Sequence, residues 1–143
     1  MSKIIYFLLI IPLLFTSCKN QSDKEVCTAD KKFKMYKLSE MSTLMEKMYV
    51  ENESLKKRIQ NGDTIGKFPN HFMQIHNAVM TDPSENDDFF KTQANIFITA
   101  QEQIYKDPKN AKTHFNESVA ACISCHEVKC GGPIVRIKKL YIQ

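Results

Sequence analysis

Apolar residues recur three and four positions apart through most of the chain, and this spacing constrains the fold more than any other feature of the sequence. Stripes of this kind run over about 28–60, 70–80, 85–106 and 108–128. Such spacing places apolar side chains on one face of an α-helix. The chain has only four glycines, and no run alternates apolar and polar residues convincingly. The sequence therefore predicts an all-α fold, an antiparallel four-helix bundle with short connections.

The ends of the predicted helices carry ordinary stop and start signals. Asn61-Gly62 follows the first stripe, and Asp107-Pro108 separates the last two. Glycine favours a helix end, and proline is tolerated at the first position of a helix. Gly131-Gly132-Pro133 closes the fourth helix. The basic residues 134–143 are expected to pack across the bundle or to lie loosely at its surface.

The motif Cys122-Ile-Ser-Cys125-His126 lies at the end of the last predicted helix. Two cysteines one helical turn apart can add to the two vinyl groups of one haem, and the adjacent histidine then faces the iron. The motif predicts one covalently bound haem c. Cys122 and Cys125 would hold the porphyrin, and His126 would be the proximal iron ligand, with the haem at the end of the last helix.

Two other chemistries use similar residues. Cys122, Cys125, His126 and Cys130 could form a Cys3His zinc site, but structural zinc usually takes its ligands from two separated segments. A redox dithiol usually lies at the start of a helix that follows a strand, where the helix dipole lowers the thiol pKa. Here all the ligands would come from one short stretch, and the motif lies at a helix end in a chain without predicted strands, so haem is favoured over both.

The N-terminus resembles a bacterial lipoprotein signal. Lys3 is followed by an apolar stretch, 4–15, and then by Thr16-Ser17-Cys18. This stretch is too short for a membrane-spanning helix. Phe15 stands where an aliphatic residue is usual, and an ordinary signal peptide with an incidental cysteine is the alternative. We expect residues 1–17 to be a signal peptide, lipid on Cys18, a tether over 18–27, and one cytochrome domain over 28–143. These features imply a lipid anchor in a membrane of the bacterial cell envelope, with the domain facing the periplasm.

Cys27 and Cys130 remain after these assignments. An even pair of cysteines in an oxidising compartment favours a disulfide. We expect a bridge between the start of the first helix and the segment after the haem motif. The alternatives are two free thiols, or Cys130 as a local ligand.

The chain resembles the class II c-type cytochromes, the family of cytochrome c′ and cytochrome c-556. These proteins are four-helix bundles with C-x-x-C-H near the end of the last helix. The likeness covers about 28–130; the motif matches residue for residue, and the rest matches in helix order. The extension that begins with Cys130 and Pro133 departs from the family. In this respect the chain is more loosely similar to small haem lipoproteins of Bacteroidetes-type bacteria.

The resemblance also implies a distal iron ligand. In cytochrome c-556 a methionine of the first helix binds the iron, whereas in cytochrome c′ an apolar residue leaves the iron five-coordinate. Counting back from Gly62, the family's ligand position falls at about Met45, with Met48 and Met41 as alternates. Methionines at helical spacing often only fill a core. The rival histidines are His71, His76 and His114.

Ligation by a histidine and a methionine raises the reduction potential and leaves no site for a substrate. The chain is therefore expected to be an electron carrier rather than an enzyme, with redox proteins of the envelope as partners. Its formal net charge of +4 gives no support to nucleic acid binding. One alternative is a five-coordinate, cytochrome c′-like protein that binds or senses NO or CO. A further alternative is a non-haem zinc or interaction lipoprotein.

Overall fold

The computed structural model describes residues 36–143, and the only regular structure in this part of the chain is helical. The α-helices are α1 (Glu40–Asn61), α2 (Asp88–Lys106), α3 (Ala111–Lys129) and the short α4 (Ile134–Ile137). Short 3-10 helices cover Asn70–His76, Pro83–Glu85, Pro108–Asn110 and Lys138–Leu140. The predicted all-α class is confirmed. None of the helices within 36–143 is long and apolar enough to cross a membrane.

Helix α1 begins later than the sequence pattern predicted. Ser39 is its N-cap, and the Ser39 side chain accepts a hydrogen bond from the Ser42 N–H at 3.1 Å. Tyr36 and Leu38 precede this cap and are exposed, so the predicted helix is wrong over 36–39. The helix ends as predicted at Gly62, whose φ of 72° is left-handed. Glycine adopts this conformation without the steric cost that other residues meet.

The second predicted helix is a 3-10 helix that ends at His76 rather than an α-helix that reaches residue 80. Its buried side chains, Phe72 and Ile75, are three residues apart, which matches three residues per turn. The chain then turns back to α1. The Met41 N–H donates to the Val79 carbonyl at 3.0 Å. This pairing is possible only because residues beyond His76 leave the helical conformation.

Helices α2 and α3 form a hairpin whose starts are shifted from the predicted ones. Asp87 caps α2 by accepting from the Phe90 N–H at 2.9 Å, and the preceding residues Pro83–Glu85 form a separate turn. Pro108–Asn110 is likewise a 3-10 turn before α3. Side-chain capping by aspartate defines the first turn more sharply than the apolar pattern does.

The C-terminal segment packs across the other helices, as the first of the two expectations for 134–143 states. Its buried side chains are Ile137, Leu140 and Ile142. The Lys56 ammonium donates to the carbonyls of Lys139 at 2.8 Å and Tyr141 at 3.0 Å. Asn116 and Ile142 exchange two hydrogen bonds of 2.9 Å. These contacts fix the segment against both α1 and α3.

The core has two apolar clusters, and a buried polar group lies between them. Gln101 is fully buried and donates to the Asn52 side-chain oxygen at 2.7 Å and to the Ser118 hydroxyl at 3.0 Å. The three residues come from α2, α1 and α3. Along α1 and α2, Asn52 and Gln101 stand between the buried residues of the cluster around Phe97 and those of the cluster around Phe115, whereas Ser118 lies among the residues of the second cluster. Buried hydrogen bonds of this kind fix the relative register of helices, because an unpaired partner would be costly.

Candidate haem site

The three residues of the C-x-x-C-H motif lie in the last turns of α3. Cys122, Cys125 and His126 are all partly buried. The two cysteines pack against the apolar cluster of Met41, Phe90 and their neighbours, and so does Met45 of α1. The motif therefore faces the N-terminal half of α1 rather than solvent alone.

Three cavities, of about 400, 70 and 40 Å³, lie around these residues. Met45 and His126 line all three, and Cys122 and Cys125 each line two. The largest cavity of these three lies between the start of α1, residues 80–82 and the end of α3. Its volume falls within the range of about 300–1,000 Å³ that is usual for ligand pockets.

His126 is oriented by the turn that ends α3. Its Nδ1 atom lies 3.1 Å from the Cys130 carbonyl oxygen and 3.2 Å from the Cys130 sulfur. A neutral imidazole that donates from Nδ1 to this carbonyl keeps a lone pair on Nε2. Metal-binding histidines commonly donate their second ring N–H to a carbonyl in this way, which fixes the tautomer and the ring. In this tautomer the Nε2 atom of His126 can accept a metal ion.

Of the three methionines on α1, Met45 lines the most cavities in common with His126. Met41 is buried and lines only the largest cavity, and Met48 is buried and lines only the two smaller ones. Met45 is half-buried and reaches all three. Met45 therefore borders the same cavities as the motif, and Met41 and Met48 lie one helical turn to either side of it.

The rival histidines lie elsewhere. The His71 imidazole pairs with Glu51 at 3.1 Å. The His114 imidazole lies 3.1 Å from Glu117 and 3.3 Å from Asp107, and these carboxylates raise the pKa of His114, Glu117 first. Neither these two nor His76 lines any of the three cavities. The His71 and His114 rings thus lie beside carboxylates, away from the candidate site.

The cysteine environments differ from that of a redox dithiol. Burial, reinforced by the neighbouring Cys125, raises the pKa of Cys122 to about 12. Burial and then Cys130 raise the pKa of Cys125 as well. Catalytic dithiols instead have a lowered thiol pKa.

The zinc alternative needs four of these side chains to converge. Within 36–143, no three side chains of the histidine, cysteine or carboxylate type group closely enough to hold a metal ion, and this includes Cys122, Cys125, His126 and Cys130. A haem iron takes only one or two ligands from the protein, so this finding does not bear on haem.

Two sets of charged contacts at the edge of the cavities, one made by Lys129 and one by Arg136, were not predicted. The Lys129 ammonium pairs with Asp87 at 2.6 Å and with Glu85 at 2.8 Å. Arg136 pairs with Glu46 at 2.7 Å. No sequence pattern marks either contact, because the partners are 42 to 90 residues apart along the chain.

The remaining predicted residues fall outside the part of the chain that the structure describes. These are Cys18, with the signal peptide and tether, and Cys27. The bridge between Cys27 and Cys130 stays a prediction.

The chain matches no family model, no curated protein and no solved structure. A function has to be argued from the residues of this chain itself.

Proposed function

We propose that this protein is a lipid-anchored, monohaem c-type cytochrome that carries single electrons at the bacterial cell envelope. Cys122 and Cys125 hold the haem, His126 is the proximal ligand and Met45 is the distal one. The observation that carries the proposal is that Met45 and His126 line the same cavities. They come from opposite ends of the described chain, yet they are the two side chains common to all three cavities.

The residues around the cavities suit the porphyrin. Met41, Met80 and Phe90 give the largest cavity an apolar wall, which matches the apolar faces of a haem. Haem supplies a one-electron couple between ferric and ferrous iron. The chain's own contribution is to orient His126 through the Cys130 carbonyl and to fill the opposite side with Met45.

The proposed bundle is a variant of the class II arrangement. Helices α1, α2 and α3 supply three of its four helices, and the 3-10 helix Asn70–His76 stands where the second helix would be. Phe72 of this segment stacks on Phe97 of α2 with ring centroids 6.0 Å apart. Through this contact the short 3-10 segment packs against α2 in place of a longer helix.

Electron transfer is favoured over catalysis because the basic side chains at the edge of the cavities are already paired, and Asp82 accepts two hydrogen bonds from Ser84. Lys129 is held by Glu85 and Asp87, and Arg136 by Glu46. General acid–base catalysis needs a titratable group that is free to exchange a proton with a substrate. An iron with two protein ligands also has no open position.

Covalent attachment is the first test. The full chain, produced in a host that matures c-type cytochromes, should keep its pigment after extraction with acidified organic solvent. Double replacement Cys122→Ala/Cys125→Ala should release the pigment, whereas Cys130→Ala should retain it. A colourless wild-type protein, or pigment that is extracted from it, would refute the proposal.

A second measurement separates electron transfer from gas binding. With Met45 bound, the reduced protein should add carbon monoxide slowly at neutral pH, because the thioether must first leave. Rapid and complete addition by the wild type would favour the five-coordinate alternative.

A further inference from the structure

Arg136 stands at the edge of the candidate haem site, on the C-terminal segment. It lines the 70 Å³ cavity together with Met45, Cys122 and His126. One guanidinium nitrogen lies 2.7 Å from a Glu46 carboxylate oxygen, and the guanidinium carbon lies 3.9 Å from the centre of the Tyr49 ring. Arg136 therefore already binds a carboxylate here, and stacking on Tyr49 holds its plane in place.

The segment that carries Arg136 is firmly packed. Ile137, the next residue, is buried. The Lys56 ammonium ties the carbonyls of Lys139 and Tyr141 to α1. The backbone that carries Arg136 is thus held in place by the fold.

The two sides of the site differ in charge. The wall of the largest cavity carries the carboxylates of Glu46, Asp82 and Glu85 with one cation, Lys129. Lys129 is already occupied by two carboxylates, Glu85 and Asp87. A further carboxylate placed there would meet mostly like charge. On the other side of the site, at the 70 Å³ cavity, Arg136 faces a single carboxylate, that of Glu46.

A haem carries two propionate carboxylates on one edge. We propose that Arg136 binds a haem propionate in exchange for Glu46, and that this contact determines which side of the site the propionate edge occupies. The inference depends on the proposed function. Arginine suits the role because its planar guanidinium can bind a carboxylate through two parallel hydrogen bonds.

Two measurable consequences follow. A cation beside a propionate lowers the pKa of that propionate, by about one to three units for a close pair. A cation near the haem also favours the ferrous state, which carries one positive charge less than the ferric state. Removal of Arg136 should therefore lower the reduction potential and move the haem-linked ionisation to higher pH.

The test is a titration of the reduction potential against pH, made on the haem-loaded full chain. Arg136→Gln should move the haem-linked ionisation upward by about one pH unit or more. Arg136→Lys keeps the charge but loses the paired hydrogen bonds, so it should move the ionisation less, in the same direction. The matched control is Lys138→Gln, which removes the same charge from an exposed position two residues away that lines none of the cavities.

The outcomes are distinct. A shift in both Arg136 variants, with Lys138→Gln unchanged, supports the assignment, and the Arg136→Lys protein keeps the test valid should Arg136→Gln not fold. If Arg136→Gln and Lys138→Gln move the haem-linked ionisation equally, or if the haem-loaded Arg136 variants show no shift, the assignment of Arg136 is wrong. The proposed function is not affected by either result. Colourless wild-type protein overturns the proposed function and the assignment together.

Discussion

Replacement of Met45 by leucine separates iron ligation from core packing. Leucine has a similar volume and no sulfur, so Met45→Leu removes the thioether and keeps most of the apolar contact. Swaps of this kind usually cost less than about 1.5 kcal/mol in stability. Met45 is half-buried, so its packing cost should lie in the lower part of that range.

The matched control is Met48→Leu, one helical turn further along the same helix. Met48 is more buried, at 5% exposure, so its packing cost should equal or exceed that of Met45→Leu. If Met45 binds iron, only Met45→Leu changes the coordination. The reduced Met45→Leu protein should become five-coordinate and high-spin, add carbon monoxide rapidly, and have a lower reduction potential, because a methionine ligand raises the potential.

The iron coordination is measured from absorption spectra of the oxidised and reduced proteins, with and without carbon monoxide. The packing costs are measured by chemical unfolding. If Met48→Leu opens the iron and Met45→Leu does not, the ligand is Met48. If neither changes the spectrum, the reasoning from the shared cavities is wrong.

Three further predictions concern the rest of the molecule. Gln101→Leu should lower the free energy of unfolding by about 1–3 kcal/mol, because it leaves the buried Asn52 oxygen without a donor. In chemical unfolding, the double variant Gln101→Leu/Asn52→Leu should lose less stability than the sum of the losses of the two single variants. The carboxylates that raise the pKa of His114 should add stability that is complete below pH 6.5, its ordinary pKa, and is lost as the pH rises through the higher folded value. His114→Gln should therefore cost more at pH 5 than at pH 9, by at most about 1 kcal/mol on the scale of exposed ion pairs, and an equal cost at both pH values would contradict this. Cys27→Ser should lower stability by about 2–5 kcal/mol if Cys27 is bridged to Cys130, and an unchanged melting temperature together with a wild-type Cys130 that alkylates freely would reject the bridge.

Local signals predicted some boundaries well and others poorly. Gly62 ends α1 as expected, because a left-handed terminal residue is a local requirement that glycine meets. The start of α1 was missed, because apolar spacing continues upstream of Ser39 while the Ser39 side chain caps the helix there. The second helix was mistaken for an α-helix because Phe72 and Ile75 fit both helical periods, and the pairing of Met41 with Val79 that ends it is not visible in the sequence.

The sequence by itself determined the all-helical class and pointed to the C-x-x-C-H residues as the candidate site, since both depend on the spacing of nearby residues. Through resemblance it also favoured a methionine of one helix as the proposed distal ligand, with three histidines left as rivals. Only the tertiary structure placed Met45, rather than Met41 or Met48, in every cavity that His126 lines, and only it brought Arg136 to Glu46 and Gln101 to Asn52. These contacts join residues far apart along the chain, and their partners are set by how the helices pack, which no local spacing records.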